Sequence, residues 1–106
     1  MITARTVTTC ALICICISAV FFGCNTHSRA KEIMKQEKCF ECHTIKGVGG
    51  SVGPNLTNVG YRRSADFIIQ QIRDPKSHNP NTQMPSFKDL PDQDLKNVVN
   101  YLTSLK

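Results

Sequence analysis

The chain has 106 residues, the size of a single domain, so one domain is expected and multi-domain machinery is not. Thirteen Lys+Arg against eight Asp+Glu give a formal +5 without any run of like charge. The clustered basic face of a nucleic-acid binder is therefore not visible, and no nucleic acid is expected as a partner.

Six cysteines in so short a chain would suit a disulfide scaffold, but their positions argue otherwise. Cys10, Cys14 and Cys16 lie in one apolar run, Cys24 closes it, and only Cys39 and Cys42 lie beyond. In that run Arg5 precedes thirteen residues, Cys10 to Phe22, of which only Ser18 is polar, and the first acidic residue of the chain is Glu32. A positive charge, an apolar stretch of ~7–15 residues and small residues at its end describe an export signal. A transmembrane helix would need ~20 apolar residues. Val20-Phe21-Phe22-Gly23-Cys24 resembles the lipobox of bacterial lipoproteins, with Phe21 where Leu is usual. The resemblance implies a lipoprotein signal peptide over 1–23, lipid on Cys24 and a short tether over 24–29. An uncleaved membrane anchor over 1–23, and ordinary cleavage to a soluble form, are the other two readings. All three place Thr26 onward on the periplasmic or extracytoplasmic side of a bacterial membrane.

Ser28 is expected to cap a first helix of roughly Arg29 to Lys38, with Met34 on its core side. That helix enters Cys39-Phe40-Glu41-Cys42-His43, the C-x-x-C-H signature of covalent haem attachment. Two thiols at this spacing can add to the two vinyl groups on one porphyrin edge, which sets the adjacent imidazole beneath the iron. A redox-active cysteine pair would want a βαβ context, which is absent. A structural zinc site would need a fourth ligand, and neighbouring residues make awkward tetrahedral donors. With one cysteine lipidated and two bound to haem, a chain cleaved after Gly23 has no free thiol left to mispair.

Gly47, Gly49, Gly50 and Gly53 then crowd a loop, as suits chain that wraps a flat cofactor closely. Tyr61 and Arg62 follow it and are candidate partners of haem propionates. Ser64 is a second cap, Phe67, Ile68, Ile69 and Ile72 supply apolar faces, and Asp74-Pro75 stops that helix. A Pro- and Asn-rich loop from Asp74 to Pro85 carries Met84, the only Met beyond the haem motif. His78, six positions earlier, is a candidate surface histidine and the alternative ligand. The last helix is expected from about Pro91 to Ser104, with Leu95, Val98, Val99 and Leu102 at i, i+3, i+4 and i+7. Pro91, Asp92 and Asp94 suit its N-terminus. No strand pattern or repeat is visible.

These pieces together resemble the class I monohaem c-type cytochromes: Cys-Phe-Glu-Cys-His at 39–43, Gly53-Pro54-Asn55-Leu56, Met84-Pro85-Ser86-Phe87, and Val98-Val99-Asn100-Tyr101-Leu102. The resemblance spans about Ala30 to Leu105 and implies an all-α cytochrome c domain over 30–106, three main helices around one covalent haem c. It implies His43 and Met84 as the axial iron ligands, with Pro54 offering its carbonyl to the His43 ring. It also implies a crossing of the first and last helices at Tyr101, with Ala30 as the candidate small partner. A core this thin should leave the haem-free chain largely unfolded. The function expected is single-electron transfer between respiratory redox partners, not catalysis. The alternative is a haem enzyme or gas sensor with a labile distal ligand. Lys35, Lys38, Lys46, Lys76 and Lys88 flank the haem-bearing segments and suggest partners with an acidic docking patch.

Overall fold

The computed structural model describes residues 27–106. The segment 1–23, Cys24 and the first part of the 24–29 tether lie outside the described residues.

Helix α1 (Ser28–Gln36) puts Ala30, Ile33 and Met34 on one buried face, the i, i+3, i+4 spacing of an amphipathic helix. Its start differs from the sequence expectation. His27 occupies the cap position and Ser28 is already helical. It also ends two residues early, because Lys38 adopts a left-handed conformation (φ 62°) that turns the chain. For a residue with a Cβ that geometry costs roughly 1–2 kcal/mol. The turn leads directly into α2 (Cys39–Cys42), a single helical turn.

A two-residue hairpin follows, β1 (Thr44–Ile45) against β2 (Val48–Gly49), antiparallel and paired Thr44 with Gly49 and Ile45 with Val48. No strand was expected here. The pairing is too short to leave an alternating pattern in sequence. After a short helix α3 (Val59–Arg62), α4 (Ala65–Arg73) begins where expected, Ser64 Oγ accepting from Phe67 N at 3.2 Å. Ile68 and Ile72, four apart, are buried, whereas Ile69 lies about 100° further round the helix and is 38% exposed. A 3-10 turn (Pro75–Ser77) ends this unit.

Helix α5 (Asp92–Ser104) is the hub, in contact with α1, α3 and α4. Leu95, Val98, Val99 and Leu102 are buried as the periodicity predicts, and Tyr101 joins them. Ala30 and Tyr101, 1% and 6% exposed, both lie in the core where the first and last helices meet. Arg29 reaches Asp94 at 3.3 Å across the same crossing. At the other end Gly60 N–H donates to Leu105 O at 2.8 Å. A Cβ on Gly60 would collide with the Thr103 carbonyl, so only glycine lets α3 approach α5 this closely. The result is mostly helical, as the sequence indicates.

Candidate functional site

Main-chain bonds fold residues 39–56 around His43. His43 N donates to Cys39 O at 3.0 Å, Gly50 N to Phe40 O at 2.9 Å and Gly53 N to Cys42 O at 2.7 Å. The last of these lays the loop flat on the imidazole. A Cβ on Gly53 would stand 2.6 Å from His43 Cε1 and 2.9 Å from Nδ1, closer than side chains ever come. His43 Nδ1 lies 2.7 Å from the Pro54 carbonyl, which can only accept, so that nitrogen carries the hydrogen and Nε2 is left with a lone pair. Arg62 Nη2 donates to the next carbonyl, Asn55 O, at 2.6 Å and pins the same turn. Tyr61 beside it is 72% exposed.

Cys39 and Cys42 are free thiols, the first partly buried and the second exposed. Burial, and then the nearby charge of Glu37, push the Cys39 thiol up to about 11. A redox-active C-x-x-C pair has the opposite character, a thiol lowered toward the thiolate. Among the described residues no three His, Cys, Asp or Glu side chains gather as a metal cage, so the zinc alternative finds no further ligands.

Met84 lies in the loop between the 3-10 turn and α5. It is partly buried and shares one small cleft with Cys39, the walls being Met34, Ile72, Phe87, Leu90 and Val98 among others. Phe87 N donates to Ile72 O at 2.9 Å, the main-chain link from this loop to α4. Side chains do the rest. The Arg73 guanidinium reaches the carbonyls of Phe87 (3.2 Å), Lys88 (2.7 Å) and Leu90 (2.5 Å) and the Asp92 carboxylate (2.7 Å). Ser86 Oγ returns a bond to Arg73 O at 2.6 Å. Arg73 and Ser86 carry no recognisable signal in sequence, since their partners lie 13 to 19 positions away. His78 is exposed and bonded to Gln71, and neither it nor His43 is part of the cleft wall.

The residues present suit a covalent porphyrin. Two free thiols stand three residues apart on one helical turn, and one imidazole nitrogen is committed to a carbonyl while the other keeps its lone pair. A thioether lines the same apolar cleft as Cys39. Val48 and Val52, 67% and 73% exposed, add outward-facing apolar surface in the glycine loop.

Comparison with known proteins agrees. The family described as cytochrome c matches residues 28–106. A relative, cytochrome c oxidase subunit 2 of Alkalihalophilus pseudofirmus, is 29% identical over 87 residues, covering 74% of this chain. The chain spans only a quarter (25%) of that relative's length. Cytochromes of this kind bind haem c covalently and transfer electrons through it, and Cys39 and Cys42 occupy the attachment position. The chain belongs to the cytochrome c family.

Proposed function

We propose that residues 30–106 form a monohaem electron carrier in which Cys39 and Cys42 hold the porphyrin as thioethers and His43 Nε2 and Met84 Sδ are the axial ligands. The observation behind this reading is the 2.7 Å contact between His43 Nδ1 and Pro54 O, which fixes the tautomer that a ligating imidazole needs. The bound haem supplies one electron, gained and lost as iron cycles between Fe(II) and Fe(III). The chain's own groups set how readily that happens. Pro54 fixes the ring angle and raises the basicity of Nε2. The Met84 thioether opposite a histidine raises the potential. With His43 and Met84 both as ligands, a bound haem would have no open position for a substrate, which separates this reading from a haem enzyme or gas sensor. Arg62 has donors beyond the one given to Asn55, and with Tyr61 it stands as a partner for the propionates.

The same proposal includes a lipid on Cys24 after removal of 1–23, with 24–29 as tether. About five extended residues reach under roughly 18 Å, so the domain rides close to the membrane on its extracytoplasmic side. Among the described residues no helix is long and apolar enough to cross a membrane. From Cys24 onward twelve basic and eight acidic residues leave +4, and Lys35, Lys38, Lys46, Lys76 and Lys88 are all exposed. A respiratory redox partner with an acidic docking patch suits that charge, and the relative, an oxidase subunit, points to a respiratory partner.

The test is the Met84→Ala holoprotein. It should keep its haem through denaturation, lose the far-red methionine–sulphur band of the ferric form, fall in potential and admit exogenous ligands. A wild-type protein without that band contradicts Met84 as ligand.

A further inference from the structure

The residue at which the tether meets the domain is built into the fold. His27 caps α1 through its backbone, and its side chain makes no capping bond. The ring instead meets Tyr101 of α5, centroids 5.2 Å apart and planes tilted by 43°. Lys31, one helical turn on, places Nζ 5.5 Å from the centroid of the same ring, within the range of a cation–π contact. Lys31 N donates to His27 O at 3.1 Å, so the backbone holds the two side chains on one side of the helix. Between them they help to cover a tyrosine that is only 6% exposed.

A second grip lies along α5. Arg29 donates to Asp94 at 3.3 Å and to Glu32 at 3.1 Å. Asp94 and Tyr101 are seven positions apart on α5, about 10 Å along its axis. Held at two points that far apart, the first turn of α1 does not swivel on the domain.

Cys24 stands three residues before His27. Three residues at ~3.3–3.6 Å each reach at most about 11 Å. A domain of ~80 residues is roughly 30 Å across, so a lipid on Cys24 lies beside this end of the molecule and out of reach of the opposite pole. From His27 the chain runs away from the tether. Helix α1 advances about 14 Å over its nine residues before the turn at Lys38 leads to Cys39 and Cys42. The hairpin that carries Lys46 follows and packs on α2.

We infer that His27, Lys31 and Tyr101 form a joint that presents the α1–α5 end of the domain to the lipid surface and turns the haem-attachment end away from it. The inference rests on the proposed lipid at Cys24 and deepens it. With His27 seated, only Asn25 and Thr26 separate the lipidated residue from the fold. The surface that this end meets is the headgroup layer of the bilayer, and the exposed Lys31 beside the joint suits anionic headgroups. A redox partner then meets the haem from the aqueous side, not within the membrane plane. So short a leash admits only partners whose docking site stands at the matching height.

The test uses the lipidated holoprotein on vesicles of phosphatidylethanolamine and phosphatidylglycerol, dried on a support as oriented layers. EPR of the ferric haem, recorded as the support is turned in the field, reports the tilt of the haem and its spread. Wild type should show strong angular dependence. His27→Ala, which spares the backbone cap, should weaken it, and His27→Phe, which returns a ring to Tyr101, should recover it. A flexible Gly/Ser insert between Thr26 and His27 lengthens the leash with the joint still seated, and should abolish it. Acetylation by a water-soluble reagent should modify Lys31 several-fold more slowly on vesicles than in the Cys24→Ser form, while Lys46 reacts alike in both. Undiminished angular dependence in His27→Ala overturns the joint and leaves lipidation standing, as does a membrane-bound wild type without angular dependence. Protection of Lys46 in place of Lys31 overturns the assigned face. A wild-type holoprotein that does not partition into membranes overturns the lipid and this inference together.

Discussion

Between Cys39 and Leu56 main-chain bonds close the chain around His43, with Thr44 Oγ1 donating to Gly50 O beside them, whereas between Ser86 and Asp92 the chain is held to α4 by one main-chain bond and by the side chains of Arg73 and Ser86. On the His43 side the Gly50, Gly53 and Leu56 amides donate to the carbonyls of Phe40, Cys42 and Thr44. The imidazole's own partner is a backbone carbonyl. On the Met84 side a single guanidinium satisfies three carbonyls and a carboxylate, and the sulphur itself meets a side-chain amide. The difference has a physical consequence. Geometry set by the backbone depends on where glycine stands and is indifferent to most side chains. Geometry set by side chains can be retuned one substitution at a time without dismantling the fold. The histidine ligand is the fixed half of the proposed site, and the methionine ligand is the adjustable half.

The comparison can be broken first at its anchor. The Cys39→Ala/Cys42→Ala double variant should yield almost no haem-stained protein, because both thioethers are gone. Normal yield would contradict covalent attachment. Gly53→Ala attacks the backbone-held half: a new Cβ 2.6 Å from the His43 ring forces the loop or the imidazole to move. Overpacking of this kind costs about 1–3 kcal/mol, read by denaturant unfolding of the holoprotein. The histidine-side spectra should change as well. A neutral outcome would mean that the loop does not rest on the ring.

Arg73→Gln attacks the other half. Hydrogen bonds from a charged group are worth about 1.5–3 kcal/mol, so a loss of about 2 kcal/mol is expected. Added imidazole should then displace Met84 more readily, with His43 still bound. Ser86→Ala removes one neutral bond to Arg73 O and should cost about 1 kcal/mol, with a smaller effect of the same kind. If either variant disturbed the histidine side as much as the methionine side, the two halves would not be separable.

The same division explains what could be seen in the sequence. Cys39, Cys42 and His43 are contiguous, and Pro54 lies only 11 positions from the ring it meets, so a short motif and a glycine-rich loop announce that half. Helix α5 was equally legible, because one apolar stripe of Leu95, Val98, Val99 and Leu102 fixes both its period and its buried face. Arg73 was not. Its partners lie up to 19 residues away, and three of them are carbonyls that any residue would supply. Gln71 was missed for a related reason, since an amide on a helix is unremarkable until the sulphur beside it is known. Ser28 was misread because a serine before an apolar helix satisfies the capping pattern, while the chain begins its helix one residue sooner. Ile69 looked like core by composition, but it stands off the Ile68–Ile72 face.

In the proposed carrier His43 and Met84 would both ligate iron, so that a bound haem would pass electrons and do nothing else. Carbon monoxide added to the ferrous holoprotein at neutral pH, followed by its optical spectrum, addresses that claim directly. The spectrum should stay that of the reduced, methionine-ligated form until the 74–90 loop is unfolded by denaturant. Ready binding of carbon monoxide to the folded protein would contradict the carrier reading and favour a haem with a labile distal ligand.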